Sequence, residues 1–207
     1  MSGEARRRWL RQGVRLEALT VGWNVVECVV GIVSGVVAGS VALIGFGFDA
    51  LIETTSAIVV LWRLRVELTS APAADFAGVE RRAARTSGAL LVLLAATIVV
   101  ESFRRLLGAG ARPEESAAGM ALTAVSAAAM PLLGWSKLRL ARRLDSGALR
   151  IEAEQTIACA WFSLTTLAGL ALNARLGWWW ADPLAALALV PWMLREGIEP
   201  WRPARMA

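Results

Sequence analysis

The sequence predicts an all-α, polytopic membrane protein: a bundle of six transmembrane helices with both chain ends on one side. Three observations predict it. The 207 residues are 57% hydrophobic and 19% charged, with mean hydropathy +0.54, whereas soluble domains carry about a quarter charged residues. The apolar residues come in long runs, not amphipathic stripes, and about 20 such residues are needed to cross ~30 Å of hydrocarbon. Basic residues cluster in alternate loops.

The spans fall at roughly 16–38, 41–62, 86–107, 116–136, 147–172 and 177–195. The first follows a basic head (Arg6, Arg7, Arg8, Arg11, Arg15) and carries Gly31, Gly35 and Gly39, a small-residue ridge that allows close helix approach. That ridge suits packing within the bundle, and a homodimer seam stays open. A short turn leads to the second span. The loop 64–85 contains "TSAPAADFAGVERRAAR", a turn-rich start followed by a short basic helix. The third span ends in "VESFRRLL". Pro131 in the fourth and Pro191 in the sixth free backbone carbonyls and permit kinks. After the fifth, "LGWWWAD" puts three tryptophans at an outer membrane boundary, where indoles anchor.

Counted by loop, 18 of the 22 basic residues fall on the side of the two termini and 4 on the other. The positive-inside rule then predicts cytoplasmic termini in a multi-pass protein of the cell (inner) membrane. Residues 1–15 form a basic cytoplasmic segment, 16–196 the six-helix domain and 197–207 a short cytoplasmic tail. The pI near 10.8 therefore reflects topology and not a nucleic-acid partner. Cys28 and Cys159 lie in apolar segments and imply no disulfide framework. No cleavable signal pattern is present, because the basic head runs into a full-length span. Histidine, the commonest metal ligand and pH switch, is absent.

Eight acids fall inside spans or at their ends: Glu17, Glu27, Asp49, Glu53, Glu101, Glu152, Glu154 and Asp182. Ionisable groups there mark functional sites by default, since placing one at mid-membrane costs about 2.5 kcal/mol or more. Glu17, Glu101, Glu152 and Glu154 lie near span ends close to arginines, where they can be solvated or paired; Glu152 is kept as an accessory candidate. Asp182 precedes Pro183, and an acid with a proline at a helix start fits a structural cap as well as a gate. Glu27 is deeper, beside Cys28 and one turn from Asn24, and this pair is a candidate for accessory or gating roles.

Asp49 and Glu53 lie mid-span, and their i, i+4 spacing puts both on one helix face. Two bare anions there repel, and a divalent cation between them removes the conflict. A protonated, hydrogen-bonded pair that helps helices pack is the plain alternative. A cation site needs more ligands. "SVAL" at Ser40–Leu43 recurs as "SGAL" at Ser146–Leu149, offset by 106 residues. The same offset sets Gln155 opposite Asp49 and Cys159 opposite Glu53, and internal repeats with polar groups at matching depth recur in secondary transporters. As ordinary residues, Gln155 bonds between helices and Cys159 is a small hydrophobe.

These segments resemble the cation diffusion facilitators, the cation efflux family of six-helix divalent-metal/proton antiporters, over residues 16–200. "GSVALIGFGFDALIETTS" is similar to the family's second helix and "SGALRIEAEQTIACAWFS" to its fifth, while "VESFRRLL" and "ADPLAALALVPWMLREG" resemble the end of the third and the start of the sixth. The resemblance implies a metal site of Asp49 and Glu53 with Gln155 and Cys159. Cys159 stands where the family pattern has aspartate, and the family's usual cytoplasmic C-terminal domain has no counterpart in the residues after the sixth span.

The expected activity is export of a divalent transition metal by proton antiport with alternating access, not enzymatic catalysis and without a resident cofactor. Two carboxylates and an amide suit hard Mn²⁺ or Mg²⁺, while a thiolate pulls towards Zn²⁺, Cd²⁺, Fe²⁺ or Co²⁺; Zn²⁺ is the first expectation. The rivals are a metal-binding regulatory membrane protein without transport, an organic-cation exporter with Phe46 and Phe48 beside Asp49, and a structural protein with protonated acids.

Overall fold

The structure, a computed structural model, describes residues 3–69, 76–109 and 113–202. Six α-helices follow in order: α1 (Gly3–Ala38), α2 (Val41–Thr69), α3 (Phe76–Leu106), α4 (Ala117–Leu144), α5 (Gly147–Leu176) and α6 (Ala181–Ile198), with a 3₁₀ turn at Glu199–Trp201. Among the described residues there is no strand. Four helices, α1, α2, α4 and α5, are long and apolar enough to cross a membrane by length and composition.

The helices outrun the expected spans, mostly at one end of the bundle. Helix α1 takes in the basic head, α2 runs to Thr69, and α4 extends two turns past residue 136. The short basic helix expected in the second loop is instead the start of α3, continuous from Phe76; residues 70–75 of that loop lie outside the described residues, as does Arg112. Pro131 and Pro191 sit inside unbroken helices.

The offset of 106 residues is visible as a repeated hairpin. Gly39 has φ +63° before Ser40, and Asp145 has φ 53° before Ser146. Ser40 Oγ accepts from Leu43 N–H at 3.0 Å and Ser146 Oγ from Leu149 N–H at 3.4 Å. Each serine N–H in turn bonds a carbonyl five residues back, Gly35 O and Ala141 O. A left-handed residue followed by a serine N-cap therefore reverses the chain at both α1–α2 and α4–α5. The two hairpins turn at opposite ends of the bundle, so α2 and α5 run antiparallel with Asp49 and Gln155 each nine residues beyond their caps.

Helix α1 packs closely along α2, and its glycine ridge is used there. A Cβ on Gly31 would lie 3.0 Å from Gly47 Cα, and one on Gly35 2.8 Å from Ile44 N. Within this chain the ridge is an internal seam; Gly39 serves the turn.

Beside the apolar core, helices α1 and α5 turn polar stripes inward and apolar faces outward. Val25, Val29, Val33 and Val36 of α1 face outward, while Glu17, Thr20, Asn24 and Glu27, spaced three or four apart, are fully buried. Helix α5 does the same with Glu152, Thr156, Cys159, Ser163 and Thr166. Such inverted patterning suits helices whose outer face meets lipid and whose inner face meets other helices.

Candidate cation site

Helices α2 and α5 cross with their polar stripes facing. Asp49 and Glu53 are buried one turn apart on α2. Thr156 of α5 donates its hydroxyl to Glu53 Oε1 at 3.1 Å, and Cys159, one turn further along α5, is buried on the same helix face. The structure thus sets Glu53 against α5, with Asp49 one turn away on α2 and Cys159 one turn past Thr156.

Gln155 is placed differently. Its Nε2 donates to Glu196 Oε1 of α6 at 2.7 Å, and Oε1 has no partner among the described residues. Among those residues, no three Cys, Asp or Glu side chains converge closely enough to hold a metal ion as they stand. The four candidates form an open arrangement around the α2–α5 crossing.

A cavity of about 500 Å³ reaches this crossing. Asp49, Glu53 and Gln155 line its inner end with Glu196 and Trp192. Gly147, Ala148, Glu199 and Pro200 line it towards the bundle end that carries both chain termini. Trp192 is braced edge-on against Phe162, with ring centroids 4.8 Å apart. Phe46 is fully buried in the core and Phe48 is exposed, so neither lines the cavity.

The other end of the bundle is tied shut. Asp182, fully buried, accepts from the Ser40 hydroxyl and from Val41 N–H at 2.9 Å, joining the start of α6 to that of α2. Arg105 of α3 donates to Gly39 O and to Glu101 Oε1. Glu114 N–H bonds Ala38 O, and Asn173 Nδ2 bonds Pro113 O at 2.9 Å. Val41 and Asp49 are eight residues apart, which puts Asp182 about 12 Å from the acid pair along α2.

Glu27 borders the crossing from α1. Trp23 Nε1 donates to its Oε1 at 2.9 Å and lies 3.3 Å from Ser126 Oγ of α4. The Asn24 amide, oriented to satisfy both neighbours, donates to Thr20 O at 3.2 Å and Glu27 Oε2 at 3.3 Å. Glu27 is close enough to Asp49, Glu53 and Cys159 to interact electrostatically with each.

Glu17 and Glu152 are neither solvated nor paired with arginine. Both are fully buried against Lys137 of α4, whose Nζ donates to Glu152 Oε1 at 2.6 Å, Glu17 Oε2 at 3.3 Å and Thr156 Oγ1 at 3.2 Å. Lys137 falls just past the expected end of the fourth span, and the loop count places it among the 18 basic residues on the side of the termini; α4 carries it inside the bundle instead. Glu196, Thr156 and Trp192 were also missed. Lys137 is the one lysine among 22 basic residues, but its place at the head of a basic run hides it.

The sequence pattern of a cation efflux transmembrane domain matches residues 18–199. The chain is also 31% identical over 174 residues to an uncharacterized transporter of Synechocystis sp., an alignment covering 79% of this chain and 56% of that protein. The chain thus spans little more than half the length of the relative it matches. With a family match running through all six helices, the chain belongs to the cation efflux family of membrane transporters.

Proposed function

We propose that this protein is a secondary transporter that exports a divalent transition-metal cation, zinc first, from the cytoplasm by proton antiport with alternating access. The observation that carries it is the pair Asp49 and Glu53 at the inner end of a cavity running to the end with both chain termini. With the termini cytoplasmic, this is an inward-facing state: an ion enters past Glu199 and Glu196 and meets the two carboxylates at the α2–α5 crossing. These ligands bind metal in their deprotonated forms, so ion and protons compete for them. Closing the inner vestibule brings Gln155 and Cys159 of α5 to the ion with Asp49 and Glu53, completing four donors. Opening the tie at Asp182 then exposes the ion to the outside, where protons displace it. Glu27 with Asn24 borders the path as an accessory acid.

Flux of Zn²⁺, Cd²⁺, Co²⁺, Fe²⁺ and Mn²⁺ into proteoliposomes under a pH gradient tests this reading. Metal-driven flux abolished by Asp49→Ala supports it. No flux for any of the five, or full flux in Asp49→Ala, would sink it. Calorimetric binding without flux would favour a non-transporting metal-binding protein. One observation favours an organic-cation exporter: Trp192 offers an aromatic wall beside the acids. Competition of a quaternary ammonium compound with Zn²⁺ flux separates the two.

A further inference from the structure

Lys137, Glu17 and Glu152 come from three helices and are each 0% exposed. A lysine ammonium has three donors and no acceptor. Here it has three acceptors: Glu152 Oε1, Glu17 Oε2 and Thr156 Oγ1. Each carboxylate gives one oxygen to the ammonium, and the other, Glu17 Oε1 and Glu152 Oε2, has no partner among the described residues. The acids anchor the amine, and its third proton is left for Thr156.

Thr156 has a single hydroxyl proton and three acceptors in reach: Glu53 Oε1 at 3.1 Å, Glu152 O at 3.1 Å and Glu152 Oε1 at 3.3 Å. Lys137 places its charge on Glu152 Oε1 and on the oxygen side of the Thr156 hydroxyl, and Glu152 O also accepts from the α5 backbone. Glu53 Oε1 is the carboxylate oxygen in reach that carries no bond from Lys137, so it draws the hydroxyl proton most strongly. We propose that Lys137 is a positioning residue of the cation site, a tethered counter-cation that aims the Thr156 hydroxyl at Glu53 and so fixes the carboxylate that meets the ion. This rests on the transport reading for the role of Glu53. It adds a cationic support to a site otherwise built from acids.

A purely structural role, neutralising two buried acids, makes a different prediction. Removing one partner of a buried ion pair is strongly destabilising, but replacing the whole cluster by neutral groups is often tolerated. The decisive protein is thus the triple variant Glu17→Gln, Lys137→Met, Glu152→Gln beside Lys137→Met alone. Both are read by equilibrium Zn²⁺ binding and by Zn²⁺ flux, after confirming a monodisperse, folded protein. If Lys137 positions Glu53, the folded triple variant binds Zn²⁺ about 10- to 100-fold more weakly than wild type, as loss of a group behind a ligand typically does. Lys137→Ala then regains affinity with n-propylammonium and not with 1-propanol, which matches its size without its charge. Wild-type affinity and flux in the triple variant, or equal rescue by the alcohol, overturns the proposal. Wild-type protein without metal binding or flux instead overturns the transport reading itself, a separate outcome visible before any variant is made.

Discussion

Thr156 Oγ1 and Glu53 Oε1 lie 3.1 Å apart across the α2–α5 crossing, the direct side-chain bridge from the acid pair to the opposite helix. Removing that hydroxyl leaves Glu53 free to swing. Thr156→Val is expected to raise the half-saturating Zn²⁺ concentration about 10- to 100-fold, with a smaller effect on maximal flux. Thr156→Ser keeps the hydroxyl and stays near wild type. Concentration-dependent flux checks both, and equal curves for valine and wild type would remove Thr156 from the site.

Cys159 is buried on the face of α5 that carries Thr156 and supplies the soft donor of the proposed set. Cys159→Ser replaces thiolate with a harder, weaker ligand, so Cd²⁺ and Zn²⁺ lose affinity while Mn²⁺ is least affected. Parallel binding titrations of the three ions check the order. A uniform loss across all three marks Cys159 as packing alone.

Asp182 and Ser40 hold the closed end together, with Val41 N–H as a second donor to the carboxylate. Hydrogen bonds to a charged group contribute about 1.5–3 kcal/mol. Asp182→Ala is therefore expected to favour the outward-open state by roughly 30-fold, since about 1.4 kcal/mol is tenfold. In a Cys28→Ala background, Cys159 becomes the reporter: it is buried here, and a membrane-impermeant thiol reagent added outside should label it faster in the Asp182 variant. Unchanged labelling would mean the tie is not a gate.

Much of the fold was legible because the relevant signals are local. The number and order of the helices and the acid pair on one face of α2 need only chain neighbours. The four-residue recurrence "SVAL"/"SGAL" was legible as an offset, and the structure shows its cause, a serine cap and first turn repeated at two hairpins. Lys137 was not legible, because it opens the basic run "KLRLARR", which reads as a membrane boundary. Helix α4 continues straight through that run, and only packing shows that one residue of it turns inward to meet Glu17 and Glu152. The Gln155–Glu196 bond joins residues 41 apart on different helices, and no periodicity announces it.

Gly47 is the last prediction, and it tests the α1–α2 seam. A Cβ there would lie 2.7 Å from Ile32 N and 3.1 Å from Gly31 C, both backbone atoms that cannot give way without moving a helix. Overpacking of this kind costs about 1–3 kcal/mol. Gly47→Ala should therefore lower the midpoint of thermal unfolding in detergent and, being two residues from Asp49, also weaken Zn²⁺ binding. Gly22→Ala on α1, the other helix of the seam, is the control, because a Cβ at Gly22 meets nothing within 4 Å. Equal melting of the two variants would show that α1 and α2 can separate without loss, and that the glycine ridge of α1 is free to serve another partner.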